Sequence, residues 1–257
     1  MYFCIRSYLV LGKVLVFVSA CGGQGRTCSA FGVANALTKC GYSVLLMDGC
    51  ADGALSALIS NSSSMLYDFG DAARFYNHSP FLGERTEQAA SCELSEACYS
   101  SDGLVFVPAP ADDSGVGAQS IRALLETAAE KFDYCILDCP HRSYYDMAYI
   151  CAEADVAVLC TTADEQCLSA AAKLRRLLPD ADEQCRLLLT KYSVASMKSG
   201  RCAGIDAAID MVGARLLGVA PQCDSLGCVH NDSSFVRASA NVASRLMGER
   251  VPLMKLR

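Results

Sequence analysis

A basic surface is the first thing this 257-residue chain lacks: 22 Lys and Arg stand against 28 Asp and Glu, for a formal charge of −6. No Lys/Arg cluster of the kind that tracks a phosphate backbone appears, so charge gives no reason to expect direct nucleic-acid binding. Lys173, Arg175 and Arg176 form a short basic face near the C-terminal end of a predicted helix, where they suit its dipole. No apolar stretch approaches the roughly 18 uninterrupted residues of a membrane span. Internal repeats and linkers are missing too, which leaves one large domain with 52% hydrophobic residues to build its core. The sixteen cysteines contain no C-x-x-C pair. In a chain this long, with many of them inside apolar runs, they read as small core residues of a reduced, cytoplasmic protein and not as a disulfide framework.

What is present is alternation. Short continuous apolar runs at Val14 to Ala20, Ser43 to Met47, Leu104 to Val107, Tyr134 to Leu137, Val156 to Cys160 and Arg186 to Leu189 read as strands buried on both faces. Helical periodicity appears at Thr27 to Lys39, Ala118 to Lys131, Glu165 to Leu178, Ile205 to Val212 and Phe235 to Met247. The expectation is an α/β fold: a doubly wound, mostly parallel sheet flanked by helices on both faces, with its ligand at the carboxyl ends of the strands. Ser60 to Ser101 is less regular and reads as short helices plus loop. Arg6, an apolar stretch and Val18-Ser19-Ala20-Cys21 look like a lipoprotein signal, but Lys13 interrupts the run and the same residues serve better as the first strand.

Cys21-Gly22-Gly23-Gln24-Gly25-Arg26-Thr27 joins that first strand to the first helix. Glycines permit φ > 0 and let backbone N–H groups approach phosphate oxygens, and the helix N-terminus behind them adds partial positive charge. The spacing departs from the plain G-x-x-x-x-G-K-[ST] loop, since Arg26 stands where a lysine is usual. Asp48 and Asp138 each end a predicted strand. Carboxylates there, with the Thr27 hydroxyl, suit Mg²⁺ held through its water shell beside phosphates.

In this order the segments resemble the MinD/ParA family of deviant Walker A ATPases, and MinD-like septum-site proteins in particular. Gly22-Gly23-Gln24-Gly25-Arg26-Thr27 is similar to the family loop, Leu45-Leu46-Met47-Asp48 to its second acidic motif and Ile136-Leu137-Asp138-Cys139-Pro140 to its Walker B strand. Leu216-Leu217-Gly218-Val219-Ala220-Pro221 resembles the late strand and proline turn, and Arg245-Leu246-Met247-Gly248-Glu249-Arg250-Val251-Pro252 the MinD ending. The resemblance covers about Lys13 to Leu253. It implies one P-loop nucleotide-binding domain over 1–257, with 1–12 as an extension and 253–257 as a short tail. It also implies ATP or ADP with Mg²⁺, ATP-dependent homodimerisation, slow hydrolysis, a protein partner, and positional control in cell division.

Carried over residue by residue, Gly22, Gly23, Gln24, Gly25, Arg26, Thr27 and Cys28 would surround the phosphates, with Thr190 and Pro221 on the adenine side. Thr27, Asp48 and Asp138 would hold the metal, and Arg26, Asp48 and Asp138 would carry the chemistry. Departures set the expectation of weak turnover. Cys21 replaces a lysine that crosses the family's dimer, Arg26 the Walker lysine, Cys50 the aspartate associated with the attacking water, Arg142 a switch glycine and Thr190 an asparagine. A lost transition-state cation is worth about 10³ to 10⁵ in rate, whereas an N–H cradle survives Lys-to-Arg replacement. The alternative is a non-hydrolysing pseudo-ATPase scaffold in pilus or secretion assembly.

A further expectation comes from Cys21, Cys50, Cys139 and His141, which could converge on the ligand edge to bind Zn²⁺ or a redox cluster, with plain packing as the simpler use. His78 and His230 read as solvated, and Ser62-Ser63-Ser64 as loop. Leu253-Met254-Lys255-Leu256-Arg257 makes little more than one helical turn, so no stable membrane anchor of the chain's own is expected.

Overall fold

The computed structural model describes residues 11–59, 65–76, 92–112, 116–179, 184–222 and 233–253. The expectations for Arg6, His78, His230, Ser62-Ser63-Ser64 and the tail beyond Leu253 lie outside the described residues. In chain order the elements are β1 (Lys13–Val18), α1 (Arg26–Lys39), β2 (Val44–Asp48), α2 (Ala54–Ile59), α3 (Phe69–Phe75), β3 (Tyr99–Ser101), β4 (Leu104–Val107) and α4 (Ala118–Ala129). There follow β5 (Tyr134–Asp138), α5 (Tyr144–Cys151), β6 (Val156–Thr161), α6 (Glu165–Arg175), β7 (Cys185–Tyr192), α7 (Val194–Lys198), α8 (Ile205–Val212), β8 (Arg215–Pro221) and α9 (Ser233–Leu246).

The described strands form one sheet in the order β3-β4-β2-β5-β1-β6-β7-β8. Every pair is parallel except β3 with β4. Alternation along β1 shows why helices must cover both sides. Val14, Val16 and Val18 belong to a core layer with α3, α4, α5, α6 and α8, whereas Leu15 and Phe17 point into the layer beneath α1, α2 and α9. A strand flanked by apolar layers on both sides has no polar positions to spare, which is the continuous apolar run visible in the sequence.

Register then assembles an edge. β1 pairs with β5 so that Phe17 lies opposite Asp138, and β5 pairs with β2 so that Asp138 lies opposite Asp48. The loop after β1 and the two aspartates therefore share the carboxyl end of the sheet. β1 sits between β5 and β6, and its crossovers run to different sides, the place where such sheets open a crevice.

Candidate functional site

The loop between β1 and α1 is curled. Gly23 and Gly25 hold φ of 70° and 68°, the left-handed region that an L side chain occupies only with strain. α1 begins at Arg26 with no side-chain cap and no acidic residue in its first turn. Its leading N–H groups thus carry partial positive charge with no internal acceptor assigned, the arrangement that favours an anion. An added Cβ at Gly22 or Gly23 would meet nothing within 4 Å, so there is room outside the loop.

Behind the loop the packing is tight. A Cβ on Gly25 would lie 3.3 Å from Thr190 Cβ. The Thr190 hydroxyl donates to the Gln24 carbonyl at 2.6 Å, and Lys191 Nζ donates to the Gly23 carbonyl at 2.7 Å. Gln24 Oε1 in turn accepts from the Thr162 N–H at 2.8 Å and from the Thr162 hydroxyl at 3.1 Å. Two residues expected around the nucleotide, Gln24 and Thr190, are thus spent on fastening the loop to β6 and β7. Thr190 keeps its hydroxyl for the loop, which leaves no donor there for a base.

The acidic side is equally occupied. Asp48 Oδ1 accepts from the Cys50 N–H at 3.1 Å, and Oδ2 accepts from the Ser56 N–H and hydroxyl at 2.8 and 2.9 Å. Burial pushes this carboxyl up to about 6, with the Ser56 N–H pulling against it and the Asp138 charge adding to it. Asp138 is fully buried. Its Oδ1 accepts from Arg26 Nε at 2.5 Å, whereas Oδ2 makes no hydrogen bond of ordinary geometry. Burial raises the Asp138 carboxyl, while the Arg26 guanidinium and the Thr27 hydroxyl pull it down. Arg26 stays cationic: burial works against its charge, and Asp138 with the neighbouring Cys50 and Cys139 outweighs it.

Arg26 does not lie along the loop. Its Nη2 donates to Cys50 Sγ at 2.7 Å, so the guanidinium spans Asp138 and Cys50. Asp48, Cys50 and Asp138 hold the group of potential metal-binding atoms found among the described residues, all within 4.8 Å of one another and all buried. Cys21, Cys139 and His141 do not join it, so the expected four-residue cluster is not assembled. Cys139 Sγ faces the Pro140 carbonyl, and Cys21 lies instead beside Cys167 of α6. Cys28 is half-buried in the first turn of α1, and Pro221 ends β8 opposite Tyr192 on the same sheet edge.

Mg²⁺ takes oxygen ligands in near-ideal octahedral geometry. Here Asp48 has both oxygens engaged, Asp138 has one, and the third donor is a thiol. A guanidinium already brings positive charge to Asp138 and Cys50. As arranged, this donor set does not fit Mg²⁺.

Ser56, Thr162 and Lys191 matter to this edge and were not singled out from sequence. Thr162 follows the end of β6, so the strand-end rule that found Asp48 and Asp138 would have found it. Lys191 carries no such sign. It sits at φ 50° inside an irregular β7–β8 register, and that kink aims its ammonium at the loop.

No protein-family model matches the chain. The septum site-determining protein MinD of Bacillus subtilis is 25% identical over 266 residues, covering 96% of this chain and 93% of that protein. The maintenance of carboxysome distribution protein A of Gloeothece citriformis is 31% identical over 148 residues, half of this chain and 48% of its own. Among solved structures, the MinC:MinD cell division protein complex of Aquifex aeolicus superposes with a TM-score of 0.74 at 20% identity, covering 95% of this chain and 99% of that one. MinD of Pyrococcus horikoshii complexed with Mg-ADP superposes with a TM-score of 0.73 at 19% identity over 92% and 96% of the two chains. Near full-length similarity to MinD, the shared parallel sheet and the glycine loop at its carboxyl edge agree: the chain has the fold of the MinD/ParA P-loop proteins and is similar in sequence to MinD.

Proposed function

We propose that the chain is an ATP- or ADP-binding switch that forms a homodimer around ATP and serves in cell division or another positioning task, with weak hydrolysis. The observation that carries this reading is the curled Gly22 to Thr27 loop, whose uncapped helix start opens on the edge shared with Asp48 and Asp138. Relatives named for septum siting and carboxysome distribution support the positioning role, and a solved MinC:MinD complex supports a protein partner. Weak turnover follows from Cys50 and Arg26. A thiol that faces the Asp138 and Cys139 carbonyls at 3.7 and 3.5 Å orients water poorly, and the guanidinium is held on Asp138.

The reading takes residues 1–257 as one nucleotide-binding domain in the cytoplasm. No helix among the described residues is long and apolar enough to cross a membrane. Mg²⁺ was expected with Thr27, Asp48 and Asp138, but the Arg26 guanidinium is already bonded to Asp138 and Cys50, so the reading requires only the nucleotide. The same clasp favours a second reading, a pseudo-ATPase scaffold for pilus or secretion assembly that never hydrolyses. Light scattering of the full chain with ADP, ATP and a non-hydrolysable ATP analogue tests both. A mass that doubles with ATP and its analogue but not with ADP is expected. An unchanged mass despite measurable ATP binding would leave the scaffold.

A further inference from the structure

We infer that Arg26 is the built-in counter-cation of this site, and that its guanidinium lets the polyphosphate of a nucleoside di- or triphosphate bind without a divalent metal. The inference rests on the nucleotide-binding reading above and replaces the metal in it with a side chain. The geometry is specific. Asp48, Cys50 and Asp138 present their ligand atoms within 4.8 Å of one another, and two nitrogens of one guanidinium bond to two of those three residues. A metal ion placed there would have to displace a half-buried cation from a buried carboxylate.

Replacement of one acceptor in the set also points away from a metal. Where a carboxylate at residue 50 would make the cluster three acids, Cys50 makes it two acids and a neutral thiol. Sulfur is a soft ligand, whereas Mg²⁺ takes oxygen.

Arg26 is also the first residue of α1, directly behind the positive-φ Gly25. Its five N–H groups include two used on Asp138 and Cys50, and a planar fork can share the others with phosphate oxygens at the same helix start. Lysine in its place offers a compact point charge without the planar fork that meets Asp138 and Cys50 from separate nitrogens. The side chain therefore links the N–H cradle to the acidic strand ends, the task a metal performs where those ends are free.

Titration calorimetry of the full chain with ATP, in EDTA and again in millimolar Mg²⁺, tests this. The dissociation constant is expected to change by less than about threefold between the two buffers. Arg26→Lys is expected to bind at least tenfold tighter with Mg²⁺ than with EDTA, because it removes the guanidinium from Asp138 and Cys50. If the unaltered chain itself needs Mg²⁺ by tenfold or more, the counter-cation role is overturned while nucleotide binding stands. If ATP binds in neither buffer, both readings fall together. The comparison on the unaltered chain decides the matter even where the variant does not fold.

Discussion

Cys135 and Cys139 lie on or just past β5, and burial pushes both thiols up to about 12. Cys185, at the start of β7, is pushed up to about 11 for the same reason. The reactive form of a thiol is its thiolate, so at pH 9 a group titrating near 12 offers about one reactive molecule in a thousand. Cys40, past the end of α1, is exposed. Iodoacetamide at pH 9, read by peptide mass spectrometry, is expected to label Cys40 in the folded chain and Cys135, Cys139 and Cys185 only after denaturant. Equal labelling of all four without denaturant would contradict the burial. The sign of the linkage is fixed as well. The folded chain holds these protons more tightly than the unfolded one, so their contribution to stability is complete below about 8.5 and is lost as pH climbs towards 12. Reading the cysteines as small core residues was within reach of sequence, since they interrupt apolar runs. The partnership of Cys50 with Arg26 was not, because residues 24 apart meet only through the register of β2 against β5.

At the scale of elements, α1 and α9 meet through a residue that has no side chain. A Cβ on Gly32 would lie 2.3 Å from Ser239 Oγ, 2.9 Å from Phe235 Cε1 and 3.0 Å from Ser239 Cβ. The hydroxyl can turn aside, but the ring and the Cβ cannot move without parting the helices. Gly32→Val is therefore expected to cost about 1–3 kcal/mol by overpacking. Urea unfolding would read it as a lower midpoint at an unchanged slope, and a midpoint within error of the parent would show that the helices can separate freely. The helices themselves were legible: the 3.6-residue periodicity predicts Ile205 to Val212 as found, and α1, α4, α6 and α9 to within a few residues of their ends. The short elements were less so. α2 and α7 span six and five residues, too few turns for a period to stand out. β3, three residues long and the one antiparallel strand of the described sheet, carries no apolar run at all. The site divides along the same line. Glycines and strand-end acids announce themselves, whereas Gln24, Thr190 and Lys191 act as fasteners only because β6, and β7 beyond it, follow β1 in the sheet.

For the whole molecule, the question is whether the two helical layers can come apart. Both rest on the same strands, and β1 donates alternate residues to each: Val16 to one side, Phe17 to the other. Phe17 is fully buried between β5 and β6, one residue before the strand ends at the loop. Truncating a buried Phe costs about 3–5 kcal/mol through lost transfer energy and the cavity left behind. In a chain of this size, 1 kcal/mol moves the thermal midpoint by about 2–4 °C, so Phe17→Ala is expected to lower it by roughly 10 °C. The loss should appear as one transition. With no tryptophan in the chain, tyrosine fluorescence and far-ultraviolet circular dichroism are the two probes to compare. Tyr134 packs under α1 and Tyr192 on the opposite layer, so the fluorescence reports both sides. If the sheet is the single unit that holds these layers, the two curves stay superimposed in the parent and in the variant alike. Curves that separate, with one layer melting ahead of the other, would break the single-domain reading and with it the reason for the loop, Asp48 and Asp138 to remain at fixed distances.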